Sequence, residues 1–210
     1  MAGGEKARRL PRAVRERQMV DAAVRCFARQ GYQAASMDGI AELAGVSKPL
    51  VYLYLGSKEE LFTRVIRREA GALLAAVAAG VGGPEVPPDE RLWAGLLAFF
   101  TYAAEHPDSW VVLSRQARTQ GEPFAGEAAR MRDEIVGFVA GLIGEAAADV
   151  GISSRDVDAL AQALVGAAES LAGWANETPG VTAKEAAATL MNFAWAGLGN
   201  LMKSERWSPR

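Results

Sequence analysis

The stretch AGVSKPLVYLYLGSKEEL, residues 44–61, decides how the rest of the chain is read. Gly45 follows an apolar-periodic segment and takes positive φ at no steric cost, so it ends one helix and opens a tight turn. Val46 plugs that turn into a core. Pro49 falls in the first turn of the next helix, where its missing N–H is no loss. Val51 and Leu55, four apart, mark the inner face of that helix over about Lys48–Leu55. Ser57-Lys58-Glu59-Glu60 then has the Ser-x-x-Glu form of a capping box and starts another helix.

Upstream, Ser36 caps a short helix that carries Met37, Ile40, Ala41 and Ala44 inward. The pair joined by Gly45-Val46-Ser47 therefore reads as a helix-turn-helix, with Ala41 small enough for close crossing. Before it, Val20, Ala23, Val24, Phe27 and Ala28 give an amphipathic helix over Arg12–Gln30, closed by Gly31. After it, Leu61, Phe62, Val65 and Ile66 face inward on a helix reaching about Ala79. GVGGPEVPPDE, Gly80–Glu90, is the clearest break. Helices resume over about Asp89–Glu105, Asp108–Gln120, Pro123–Val150, Ser154–Glu177 and Thr182–Ser204, the last opened by a second capping box, Thr182 with Glu185. No segment alternates with period two, so the fold class is all-α. The expected layout is a basic N-terminal arm (1–14), a three-helix domain (15–60) and a larger helical body (61–210).

Charge is divided unevenly along the chain. Residues 1–70 hold 13 Lys and Arg against 8 Asp and Glu, and residues 71–210 hold 10 against 17. A basic head on an acidic body points to a polyanionic partner for the head. The single cysteine, Cys26, allows no disulfide within the chain and fits a reducing compartment. With His106 the only histidine, neither a zinc site nor a nucleophile–base pair is motivated, and no phosphate-cradling loop occurs. No enzyme activity, metal or cofactor is expected. The charged N-terminus lacks the apolar core of a signal peptide, and the longest apolar runs are too short to span a bilayer. A cytoplasmic protein with no membrane partner is expected.

The residue types of the turn fit a nucleic-acid partner. Ser47 at the helix start leaves N-terminal amides directed outward, where phosphate is attracted. Lys48 adds a cation. Pro49 and Leu50 offer apolar contact suited to a thymine methyl in the major groove. Tyr52 and Tyr54 cannot both face inward, so at least one presents its hydroxyl to a phosphate oxygen. Lys58 and Ser36, each at a helix start, complete the candidate set. Singly, each has a plainer reading: the serines cap, Tyr54 packs, and Lys58 is a solvated charge. On one basic head with this turn, together they favour DNA.

Within Arg15–Ala70, the run AAVRCFARQGYQAASMDGIAELAGVSKPLVYLYLGSKEELF, Ala22–Phe62, resembles the N-terminal domain of the tetracycline-repressor (TetR) family of bacterial transcription regulators. The resemblance covers about a quarter of the chain in nearly uninterrupted register. It implies a homodimer whose three N-terminal helices bind double-stranded DNA and whose C-terminal bundle binds ligand and dimerises. Carried onto this sequence, the family's DNA contacts fall on Ser36, Ser47, Lys48, Pro49, Leu50, Tyr52, Tyr54 and Lys58. Many members have threonine in place of Ser36 and glycine in place of Pro49, so the stiffer turn here implies altered base contacts. The basic run Lys6–Arg17 resembles arms that some members lay along the minor groove; a solvated tail is the equal alternative.

The resemblance also implies a cavity in the body. Trp93, Phe100, Trp110, Met131, Ile135 and Phe138 are the candidate lining residues, and the scarcity of charge on these faces favours a small, largely apolar effector. Arg115 or Arg118 is a candidate partner for an anionic ligand group. Two apolar stripes near the C-terminus read as a dimer interface through the last two long helices: Val157, Leu160, Ala161, Leu164, Ala168, Leu171 and Ala175 on one, Leu190, Met191, Ala194, Gly197, Leu198, Leu201 and Met202 on the other. A twofold dimer puts its reading helices into successive major grooves of a near-palindromic operator. The expected function is a ligand-responsive regulator, a repressor by preference; the alternative is a non-specific or architectural DNA binder without a ligand.

Overall fold

Met19, Val20, Ala23, Val24 and Phe27 recur at helical spacing along α1, Arg12–Ala34, and all are buried. The structure is a computed structural model that describes residues 11–148 and 151–202, with backbone alone for 196–202. The α1 ladder runs past its expected end. Gly31 (φ 78°, ψ 163°) interrupts it, and one further turn follows to Ala34. Because α1 begins at Arg12, the basic run expected as an arm already contributes Arg12, Arg15 and Arg17 to a helix. Residues 1–10 lie outside the described part.

α2, Met37–Ala44, and α3, Lys48–Leu55, are joined by Gly45 in the left-handed region (φ 67°). Val51 and Leu55 point inward with exposures of 0% and 2%, as their spacing predicts. α4, Lys58–Val81, opens with both halves of the capping box: Glu60 N–H donates to Ser57 Oγ at 3.1 Å, and Ser57 N–H donates to Glu60 Oε2 at 2.7 Å. Each such bond satisfies an amide that the first helical turn otherwise orphans.

The head core does not stop at the head. α6, Pro107–Val111, runs through a π-helical segment, Val112–Gln116, into α7, Ala117–Thr119. This span was expected to be one plain helix. Val112 and Ala117 are fully buried in the head cluster, and Phe124, at the start of α8 (Phe124–Ala146), joins them. Phe62 stands 4.7 Å from Phe27, 4.9 Å from Tyr32 and 4.8 Å from Phe124 between ring centroids. Edge and tilted packing of this kind adds to the area buried. The division expected at residue 60 therefore falls inside one packed aromatic cluster.

In the body, α4 and α5 (Pro88–Glu105) cross closely because of small residues. A Cβ added at Gly80 would stand 2.9 Å from Ala98 Cβ, and one at Gly95 would stand 3.1 Å from Val81 Cγ2. The break between these helices is shorter than expected, residues 82–87. α9, Ser154–Glu177, and α10, Ala183–Met202, close the bundle, with the Thr182–Glu185 box formed at 2.8 and 3.2 Å. α8 ends short of Val150, which lies outside the described residues, as does Ser204.

The expected α9 stripe needs correcting. Ala161 and Ala168 are buried within this chain, and Leu164 packs against its α5–α9–α10 core. The amphipathic pattern marked an inward face and carried no mark of whose core it enters. The aromatics left outside are Trp174 on α9 and Phe193 on α10, exposed by 54% and 76%. Side chains of Gly197, Leu198, Leu201 and Met202 lie outside the described set. Among the described residues every regular element is helical, and no helix is long and apolar enough to cross a membrane.

Candidate nucleic-acid interface and body cavities

Anchoring by Val51 and Leu55 turns the opposite side of α3 to solvent. Pro49 and Leu53, four apart, occupy the centre of that side, with Tyr52 and Leu50 at its flanks. Leu53 is 75% exposed and Tyr52 46% exposed, while Leu50 is half-buried. Tyr54 turns the other way. Its ring packs against the head core, and the Arg12 guanidinium lies 5.1 Å above it.

The polar groups of this face are disposed unequally. Ser36 Oγ accepts from Gly39 N at 3.0 Å, so it is a working cap. Ser47 occupies the N-cap position of α3 in extended backbone, yet its hydroxyl makes no capping bond. This corrects the expectation that it caps α3. Lys48 is not a free cation: its Nζ donates to Asp38 Oδ2 at 2.9 Å, and that hydrogen bond holds the ammonium pKa above its usual value. Lys58 is not a fully solvated charge. Its Nζ donates to the carbonyls of Gln33 (3.1 Å) and Ala35 (2.9 Å) and sits 4.6 Å from the centroid of Tyr32. An ammonium has three donors, so one remains.

α4 ties the head to the body through three neighbouring arginines. Arg64 pairs with Glu16 of α1, and Arg68 Nη1 donates to Asp21 of α1 at 2.6 Å. Arg67 turns to the body, where Nε and Nη2 donate to the two oxygens of Glu127 at 2.6 and 3.1 Å. Arg130 adds a third contact to Glu127 at 2.9 Å. Glu127 is only 4% exposed, and the bonds from Arg67 hold its carboxyl below the usual glutamate range against the opposing effect of burial.

Among the described residues, two mainly apolar cavities of the body, each partly open to solvent, bear on the expected pocket. A cavity of about 110 Å³ is bounded by α4, α5, α8, α9 and α10, with Val77, Val81, Leu96, Ile143 and Trp195 among its walls. A smaller one of about 50 Å³ lies nearer the head, walled by Trp110, Leu113, Met131 and Ile135. The six residues expected to line one pocket are thus divided. Trp110, Met131 and Ile135 meet at the smaller cavity, Phe100 is 2% exposed in the α5–α9–α10 core with Trp93 packed against it, and Phe138 is half-buried and borders neither of the two. Arg115 and Arg118 are engaged with Glu177 and Glu169.

Three side chains escaped the sequence reading. Leu53 was readable from the α3 wheel, as the residue one turn after Pro49 and opposite Val51. Asp38 sits ten positions before its partner Lys48, and only the turn geometry brings them together. Arg91 lines the larger cavity, and its signal was a lone cation at the head of the apolar run Leu92–Ala104.

Residues 19–65 match a family model described as bacterial regulatory proteins, tetR family, and residues 88–197 match one described as tetracyclin repressor-like, C-terminal domain. A TetR-like transcriptional regulator from Rhodococcus sp. RHA1 is 40% identical, with a TM-score of 0.77 over 91% of this chain and 99% of that one. FadR from Bacillus subtilis, solved in complex with stearoyl-CoA, has a TM-score of 0.76 over 86% of this chain and 98% of its own at 18% identity, a likeness of fold. The HTH-type transcriptional activator FasR of Mycolicibacterium smegmatis is 39% identical over 100 residues, 48% of this chain and 45% of that protein. The chain spans about half the length of the curated relatives it matches.

Proposed function

Because the chain belongs to the TetR family of bacterial regulatory proteins, we propose that it is a ligand-responsive regulator that binds a near-palindromic operator as a homodimer. The observation that carries the reading is the division of α3, buried through Val51 and Leu55 and open through Pro49, Tyr52 and Leu53. A helix so held presents one face to a major groove. Lys48, Tyr52, the free Ser47 hydroxyl and the remaining donor of Lys58 meet phosphates. Pro49, Leu50 and Leu53 meet base edges. Ser36 and Tyr54 hold the flanking backbone and the Arg12 guanidinium in place.

The dimer forms through α9 and α10. Trp174 and Phe193 are its anchors, since exposed aromatics of this size are characteristic of interface centres. The effector is small and largely apolar and occupies the cavity that Val77 and Val81 of α4 help to wall. α4 joins that cavity to the head: Val81 and Phe62 stand roughly 28 Å apart along one helix. A ligand that favours a different setting of α4 moves the heads off groove spacing, and a ligand with equal affinity for both settings moves nothing. A hundred-fold preference supplies about 2.7 kcal/mol, enough to loosen an operator of ordinary affinity. The stearoyl-CoA held by the FadR of similar fold supports a ligand cavity in this type of body. Release on ligand binding makes repression the default outcome.

The salt dependence of DNA binding tests the head. Lys48→Ala is expected to flatten the plot of log affinity against log salt by roughly 0.9 per subunit, with the fold intact. A slope equal to wild type would remove Lys48 from the contact set.

A further inference from the structure

Arg91 stands near the start of α5 with a side chain only 12% exposed. Among the described residues its guanidinium makes one ion pair, from Nη1 to Glu145 Oε2 at 3.0 Å, and Glu145 is itself 59% exposed. Its Nε is buried and, among the described residues, has no hydrogen-bond partner. An unsatisfied buried donor on a charged group is costly, and native structures keep few of them. The same residue lines the larger cavity, whose other walls are apolar: valine, leucine, isoleucine, alanine, glycine, proline and Trp195. A half-exposed partner such as Glu145 contributes little to offset that cost.

Arg91 thus walls an otherwise hydrocarbon cavity with a cation whose unused N–H is covered in this structure and reaches the cavity by a turn of the side chain, which makes it half of a recognition site. We propose that the cavity takes an aliphatic chain bearing an anionic head, a carboxylate or a phosphate, and that Arg91 grips the head through Nε and the adjacent Nη. The guanidinium edge offers two parallel N–H groups, the geometry that matches both anions. The chain lies against Leu96, Ile143 and Leu164 and reaches Val77 and Val81 of α4. This assignment rests on the reading of the cavity as the effector site and adds a head group to a ligand otherwise defined only as apolar. Arg115 and Arg118, the cations the sequence offered for this role, have carboxylate partners elsewhere on the body.

The test is calorimetric titration of the full chain with decanoate, decyl phosphate and 1-decanol, in wild type, Arg91→Met and Arg91→Lys. Methionine keeps the apolar stem and removes the charge, and lysine keeps the charge and loses the fork. In wild type at least one anion is expected to bind roughly ten- to a hundred-fold more tightly than the alcohol. Arg91→Met should erase that preference while leaving decanol affinity in place, and Arg91→Lys should fall between. The tighter of the two anions identifies the head group. Equal binding of acid and alcohol, or a preference that survives Arg91→Met, overturns the assignment and leaves the cavity reading standing. If none of the three probes binds wild type, both fall.

Discussion

Leu53 projects from the middle of α3 with three-quarters of its surface in solvent. In the eight residues KPLVYLYL there is no Asn, Gln, Arg or acidic side chain, and Lys48, the one group able to make a bidentate base contact, is paired with Asp38. Apolar contact with thymine methyls is what remains. Replacing thymine by uracil at the positions facing α3 removes only the methyl and is expected to weaken binding about four-fold at each contacted site. Leu53→Ala should abolish that difference at one position per half-site; a difference that persists in the variant assigns the methyl to another side chain. Asp38 acts in the opposite sense. It pairs with Lys48, and in the proposed complex a phosphate competes with it. Asp38→Asn should tighten operator binding at fixed salt, measured by titration, and weaker binding would show that Asp38 orients Lys48 productively instead. At this scale the sequence was legible where a residue type has one use. Val51, Leu55 and Gly45 took their expected places. Lys48 and Lys58 did not, because their partners, Asp38 and the Gln33 and Ala35 carbonyls, come from another helix or from the turn between α1 and α2.

At the scale of elements, α4 is gripped on both sides. Arg64 and Arg68 hold it to α1, and Arg67 holds it to α8 through Glu127. Glu127 has a folded-state pKa below its ordinary value, so the stability it contributes is present above the ordinary glutamate range and is lost as pH falls through the folded value. Glu127→Gln is therefore expected to lower Tm by a few degrees at neutral pH, and the gap to wild type should close on acidification. A gap that stays constant with pH would mean that Glu127 stabilises by packing and not by charge. Helix limits were readable from the caps: Ser36, Ser57 and Thr182 open their helices as the Ser/Thr-x-x-Glu and N-cap patterns predict. The π segment at Val112–Gln116 was not, since VLSRQ carries no local signal. The turn is widened where Val112 and Ala117 enter the head core, a demand set by α1 and α4.

At the scale of the molecule, the all-α class and the head-then-body order follow from hydrophobic periodicity and from one glycine- and proline-rich break. The proposed pocket and dimer surface were less legible. A helical stripe of alanine and leucine serves an inner core and a subunit interface equally well, which is why the α9 stripe reads as an interface in sequence while Ala161 and Ala168 lie in this chain's own core. Exposure separates the two uses and leaves Trp174 and Phe193 as the proposed anchors. Phe193→Glu should give a single-chain species by sedimentation and lose operator affinity with no loss of helix content. A dimer that survives both Phe193→Glu and Trp174→Glu would place the interface elsewhere.

Selection of bound DNA from a random pool by the purified full chain asks whether two copies of α3 read DNA as a pair. An inverted repeat is expected to be enriched, thymine-bearing where α3 reads it, with half-site centres one helical turn or a small multiple apart, about 10–10.5 base pairs per turn. A pool that stays random through successive rounds, or one that converges on a single unrepeated half-site, would contradict a paired helix-in-groove reader.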